Sequence, residues 1–90
     1  MSRYRIEYLR TVKDDVRHLG NREREAVKSK IVWLSEYADD ISHLALHGKR
    51  FRSTFKLRVG DYRVVYSLDR KRKVILIELI GHRSEVYRER

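Results

Sequence analysis

Lys56-Leu57-Arg58-Val59-Gly60-Asp61-Tyr62-Arg63-Val64-Val65-Tyr66 reads as two strands joined by a two-residue turn. Gly60 supplies the positive φ that the first turn position of a tight hairpin demands. That turn pairs Val59 with Tyr62, Arg58 with Arg63, Leu57 with Val64 and Phe55 with Tyr66. The first strand reaches back to Lys49, and along it Phe51, Phe55, Leu57 and Val59 alternate with Arg50, Arg52, Thr54, Lys56 and Arg58. Period-two alternation sends the two sets to opposite faces. One face becomes core, and the other carries Lys56, Arg58 and Arg63 as exposed cations. Like charges directly across a strand pair destabilise a sheet, so their purpose lies with a polyanionic partner.

The wider charge distribution agrees. The 90 residues carry a formal net charge of +9. From Lys49 to Arg90 there are 13 Lys or Arg against 5 Asp or Glu, a balance of +8, which leaves +1 for the first 48 residues. Concentration in one half points to a nucleic-acid-facing surface, and an acidic protein could cover the same surface. With no cysteine there is neither a disulfide framework nor a thiolate metal site, which fits a reducing cytoplasm. No apolar run approaches the roughly 20 residues of a membrane span, and Met1-Ser2-Arg3-Tyr4-Arg5 leads into a strand pattern rather than a signal-peptide core. The expectation is a soluble, unprocessed single domain with no membrane partner.

Tyr4, Ile6 and Tyr8 alternate with charged residues as a half-buried first strand. Thr11 is placed to cap a short helix bearing Val12, Val16 and Leu19, which Gly20 ends. Asn21 is placed to cap a longer helix with Val27, Ile31, Leu34 and Ala38 as its apolar stripe, Trp33 beside it and Arg22-Glu23-Arg24-Glu25 toward water. Leu44 and Leu46 are expected to tuck under the sheet. Asp69 to Lys73 forms a second turn, and Val74 to Ile80 is apolar enough for a central strand covered on both sides. The fold class is α+β: a small antiparallel-rich sheet in the order β-α-α-β-β-β, with the helical hairpin packed on one face.

The hairpin and the closing Gly81-His82-Arg83-Ser84-Glu85-Val86-Tyr87 resemble the RelE/ParE superfamily of toxins from type II toxin–antitoxin pairs, and within it the RelE-like mRNA interferases. Length and element order are similar throughout, and residues from about Leu44 onward carry the likeness. The resemblance implies ribosome-dependent mRNA cleavage by attack of the RNA's own 2′-hydroxyl, without metal or other cofactor. It also implies a cognate antitoxin, contact with the ribosome and mRNA, and indirect contact with operator DNA through the antitoxin. By resemblance, Lys56 stabilises or deprotonates the nucleophile, Arg63 binds the phosphate, Arg83 serves the leaving group, and Tyr87 orients or stacks on the nucleotide. Thr54 stands where some members have a second lysine. His82 is a more conventional proton carrier near neutral pH than an arginine, so the division of acid and base roles among Lys56, His82 and Arg83 stays open. Arg50, Arg52 and Arg58 complete an RNA-binding set.

Each residue also has a plainer reading. Lys56 and Arg58 could guard an edge strand against aggregation, and His82 could satisfy backbone groups at a strand end. Tyr62 and Tyr66 fall on the apolar face and read as core. His18, His43 and His47 have no metal-ligand spacing. ParE-like members of the superfamily share the fold but inhibit DNA gyrase, and a non-catalytic nucleic-acid-binding relative is a third alternative.

Overall fold

In the computed structural model, which describes residues 3–45 and 54–86, the hairpin sits at the centre of the architecture. Strand β3 (Thr54–Val59) pairs antiparallel with β4 (Tyr62–Asp69) in the expected register, with Val59 opposite Tyr62, Arg58 opposite Arg63 and Leu57 opposite Val64. Gly60 has φ 58°, the left-handed conformation that a side chain would strain. The chain begins with β1 (Arg5–Tyr8), α1 (Val12–Arg17) and α2 (Asn21–Tyr37), reaches β3 by a two-residue strand β2 (Leu44–Ala45), and ends with β5 (Val74–His82) and a short α3 (Arg83–Val86). The strand order is β1-β5-β4-β3-β2. β1 lies parallel to β5, while the remaining pairs are antiparallel.

Helices α1 and α2 cover one face. Val12, Leu19, Val27, Ile31, Leu34 and Ala38 pack with Val64, Tyr66, Ile75, Ile77 and Ile80 in one core cluster. Ile77 and Ile80 both point inward although three positions apart, which strict alternation forbids. A bulge resolves this: Val65 faces Leu79 and Tyr66 faces Ile77, so β5 carries one extra residue, Glu78, and its phase shifts. Beyond β1 the outer edge of β5 has no strand partner among the described residues, and Asp15 Oδ2 of α1 accepts the Ile80 amide at 3.0 Å. That bond ties the helical layer to the end of β5 that leads into α3.

Several local expectations need correction. Gly20 opens α2 rather than ending α1, which stops at Arg17 with His18 as its C-cap. Asn21 is the first helical residue instead of the cap, and neither Thr11 nor Gly20 makes a side-chain capping bond. A Cβ on Gly20 would lie 2.5 Å from Glu23 Oε1, so the first-turn carboxylate folds back over the glycine, where its charge favours the helix start. Arg24 does not simply face water: its Nη2 donates to Leu19 O and its Nη1 to Asn21 Oδ1. β5 is covered fully on the helical side only; Leu76 and Leu79 on its other side stay half-buried.

The connection before β2 also differs. Leu44 is 62% exposed instead of tucked under the sheet. His43 takes the inward place, its ring packed against Phe55 and Tyr66. Its Nε2 lies 2.8 Å from Ala38 O, a carbonyl that can only accept, so Nε2 donates there. In the neutral ring Nδ1 then accepts the Tyr66 hydroxyl. Leu46 and Phe51 lie outside the described residues.

Candidate functional site

The sheet face away from α1 and α2 is assembled by register. Thr54, Lys56 and Arg58 of β3 alternate away from the core, as do Arg63, Val65 and Ser67 of β4. After the bulge, Leu79 and Gly81 of β5 join them opposite Val65 and Arg63. Arg58, Arg63 and Gly81 therefore form one row across three strands, and Lys56, Val65 and Leu79 form the next. Directly opposite side chains begin about 5 Å apart at Cβ, so Arg58 and Arg63 bring two positive charges to this row.

The three cations are not equivalent. Arg58 is exposed and Lys56 half-buried. Arg63, expected to be an open surface cation, is only 7% exposed. Its guanidinium turns back over the hairpin, and Nη1 donates to Gly60 O at 2.9 Å and to Tyr62 O at 2.8 Å. Both hydrogens of Nη1 are thus committed, which fixes the plane of the group. The register neighbour of Arg63 on β5 lies against α3. α3 folds onto this face, Val86 packs with Val65 and Leu79, and a Cβ on Gly81 would meet Val86 Cγ2 at 3.4 Å. A glycine opposite Arg63 lets the helix approach closely.

The carbonyl between those two also has a task. Asp61 O accepts the Arg83 amide at 2.8 Å, so three successive carbonyls of the turn, from Gly60, Asp61 and Tyr62, hold the Arg63 side chain and the Arg83 backbone. The Arg83 side chain remains exposed at the turn end of the face. Among the described residues no carboxylate forms an ion pair with Arg63 or Arg83. Also among them, no group of three or more His, Asp or Glu side chains is arranged to hold a metal ion.

His82 lies elsewhere. It pairs with Tyr62, and its ring meets the Tyr62 ring edge-on at 5.6 Å, so it shares the face of the helical layer rather than that of Lys56 and Arg63. The structure thus gathers Lys56, Arg58 and Arg63 on one face with Arg83 at its end, and sets His82 on the other. Arg50, Arg52 and Tyr87 lie outside the described residues. The carbonyl clasp on Arg63 was missed from sequence, and its one available signal was the tight turn three residues upstream.

On the helical side, an apolar groove of about 410 Å³ opens between α1, α2 and the end of β5. Tyr8, Val16 and Ile31 line it, and Lys13, Arg24 and Lys28 edge it. Arg24 Nε is buried there without a hydrogen-bond partner. Burial also raises the Tyr8 hydroxyl pKa above its ordinary value.

Comparison with known proteins matches this architecture to a family. The family described as ParE toxin of the type II toxin–antitoxin system parDE matches residues 6–87. This chain belongs to the RelE/ParE toxin superfamily. Among solved structures, the RelBE2 toxin–antitoxin complex of Mycobacterium tuberculosis is similar at 26% identity over 94% of this chain and 97% of that one, with a TM-score of 0.80. The isolated RelE toxin of E. coli is 28% identical over 93% and 90%, with a TM-score of 0.73. The RelE–RelB complex of Pyrococcus horikoshii is 25% identical over 91% and 97%, with a TM-score of 0.71. No curated protein sequence matches the chain. It is a type II toxin–antitoxin toxin with the RelE-like fold.

Proposed function

We propose that this toxin is a metal-independent endoribonuclease that cleaves mRNA on the ribosome. The observation that carries the reading is the pairing of Arg58 with the clasped Arg63 on the sheet face that also bears Lys56, a like-charge pairing whose repulsive cost a stable fold alone does not need. A bound phosphate would relieve that cost. Arg63, largely withdrawn from water and fixed in plane, is suited to a phosphoryl oxygen whose charge grows in the transition state. Lys56, one row away, would stand beside the 2′-hydroxyl, and Arg83, exposed at the turn, beside the leaving 5′-oxygen.

In this reaction the bond from O2′ to phosphorus forms and that from phosphorus to O5′ breaks. The products are a 2′,3′-cyclic phosphate and a 5′-hydroxyl. One proton leaves the attacking hydroxyl and one reaches the leaving oxygen, with solvent and the cationic side chains as carriers. Tyr87, Arg50 and Arg52 would extend the RNA contact.

The test is cleavage mapping on programmed ribosomes with EDTA at constant ribosome integrity. Cuts should persist and end in cyclic phosphate, and a single 2′-deoxy substitution at the cut site should protect the message. Equal cutting of the deoxy substrate would refute the mechanism. A second reading rests on the ParE family match: inhibition of DNA gyrase. Lost supercoiling with intact mRNA would select it.

We further propose that the cognate antitoxin uses the groove between α1 and α2. Solved relatives are toxin–antitoxin complexes with RelB. An apolar floor edged by Lys13, Arg24 and Lys28 complements an amphipathic segment with acidic residues on its flanks. Operator DNA would be reached through that antitoxin.

A further inference from the structure

His82 immediately precedes α3 and faces away from the cationic surface. The Ser84 amide donates to its Nδ1 at 3.2 Å, and Ser84 Oγ lies 2.9 Å from the same nitrogen. A backbone amide can only donate, so Nδ1 is an acceptor and the neutral ring carries its proton on Nε2. The contact has the geometry of a helix N-cap: the residue before the first turn accepts from the amide two positions on. Ser, Thr, Asp and Asn ordinarily fill this role, each through an oxygen; here an imidazole nitrogen takes it.

The first turn of α3 is thereby held at two amides. Ser84 N–H is held by His82, and Arg83 N–H by Asp61 O of the hairpin turn. A four-residue helix has too few internal bonds to define itself, so these external ones fix where it starts. Arg83 sits between them. The His82 ring is in turn braced edge-on by Tyr62, whose own carbonyl holds Arg63. Tyr62 thus meets His82 through its ring and Arg63 through its carbonyl.

We infer that His82 is a positioning residue for Arg83 and not a proton carrier: its Nδ1 caps α3 and, with Asp61 O, sets Arg83 at the end of the cationic face. The inference rests on the nuclease reading for its functional consequence and on the cap geometry for its content. It removes histidine from the acid and base roles on that face, and leaves charge stabilisation by Lys56, Arg63 and Arg83 to carry the reaction.

His82→Asn and His82→Ala separate the two roles. An asparagine Oδ1 can accept the Ser84 amide but does not shuttle protons near neutral pH. If His82 positions Arg83, the Asn variant keeps cleavage within about threefold of the parent while the Ala variant loses about tenfold, the size of one lost cap. Amide hydrogen exchange supplies a second readout that needs no activity. Ser84 should exchange slowly in the parent and in His82→Asn, and fast in His82→Ala, with thermal melts confirming that all three fold. If the Asn variant is as inactive as the Ala variant while Ser84 stays protected, His82 carries a proton and the proposal is wrong. If Ser84 exchanges alike in all three, the cap does not exist and the proposal is wrong. Should the parent cleave no RNA, the nuclease reading fails, and the exchange arm still decides the cap.

Discussion

Arg58 and Arg63 stand directly opposite each other across β3 and β4, and the two are buried unequally: Arg58 is exposed, whereas Arg63 is 7% exposed and clasped by the Gly60 and Tyr62 carbonyls. The mismatch makes a stability argument and a function argument point in opposite directions. Arg58→Glu converts a like-charge pair into an opposite-charge one, worth about 0.2–1 kcal/mol. The variant should melt a few degrees higher and bind RNA more weakly, with a shallower dependence on salt as a phosphate contact is lost. A lower melting temperature would mean that Arg58 has a structural partner, which would undercut the functional reading of this row.

Arg63 behaves differently. Truncation to alanine leaves two turn carbonyls without their donor, so Arg63→Ala should cost about 1–3 kcal/mol as well as abolishing growth arrest. Val64→Asp, one residue along and fully buried, buries an unpaired carboxylate and should cost several kcal/mol more. Arg63→Lys keeps the charge but cannot reproduce the planar fork, so it should retain more stability than activity. Urea titration of the three variants gives the order; Arg63→Ala as stable as the parent would show that the clasp contributes nothing.

Much of the fold was legible in the sequence because the hairpin left little freedom. A two-residue turn with glycine at its first position fixes the register, and register fixes which face every residue of β3 and β4 joins. What stayed hidden depends on contacts between distant segments. The bulge at Glu78 shifts the phase of β5, and no local pattern marks it. His43 replaced Leu44 in the interior because its two ring nitrogens meet the Tyr66 hydroxyl and the Ala38 carbonyl, a pairing across 23 residues. For the candidate site, alternation was enough to put Lys56, Arg58 and Arg63 on one face. It said nothing of Arg63's burial, because the guanidinium turns back onto the Gly60 and Tyr62 carbonyls, a path that alternation along a strand does not encode.

Tyr66 gives a prediction in pH. Burial pushes its hydroxyl from 10.0 up to about 12, while Arg70 pulls modestly the other way. The folded state therefore holds this proton more tightly than the unfolded chain. Its contribution, on the order of 3 kcal/mol, is full below pH 10 and is lost as pH rises from 10 through about 12. Tyr4, raised first by burial and then by its bond to Asp39, titrates in the same sense. Denaturation curves between pH 9 and 12 should show stability falling, and Tyr66→Phe should flatten part of the slope. An unchanged slope would place Tyr66 in contact with solvent.

The groove on the helical side makes the last prediction, because it can be altered without touching the cationic face. Lys13 and Lys28 are exposed on α1 and α2, so reversing both to glutamate changes the rim charge by four units with little effect on the core. If an acidic amphipathic segment of the antitoxin docks here, the double variant should bind its antitoxin at least tenfold more weakly, a loss of about 1.4 kcal/mol. Tyr8→Ser, which removes an apolar ring from the floor at a 52% exposed position, should weaken it through a different term that salt does not screen. Neither change reaches Arg63 or Arg83, so growth arrest in the absence of antitoxin should persist, and co-expressed antitoxin should rescue the cells poorly. Calorimetry with purified antitoxin, alongside such growth assays, measures both. Full-strength binding by the double variant and by Tyr8→Ser would remove the groove from the antitoxin interface, and its buried Arg24 Nε would need another explanation.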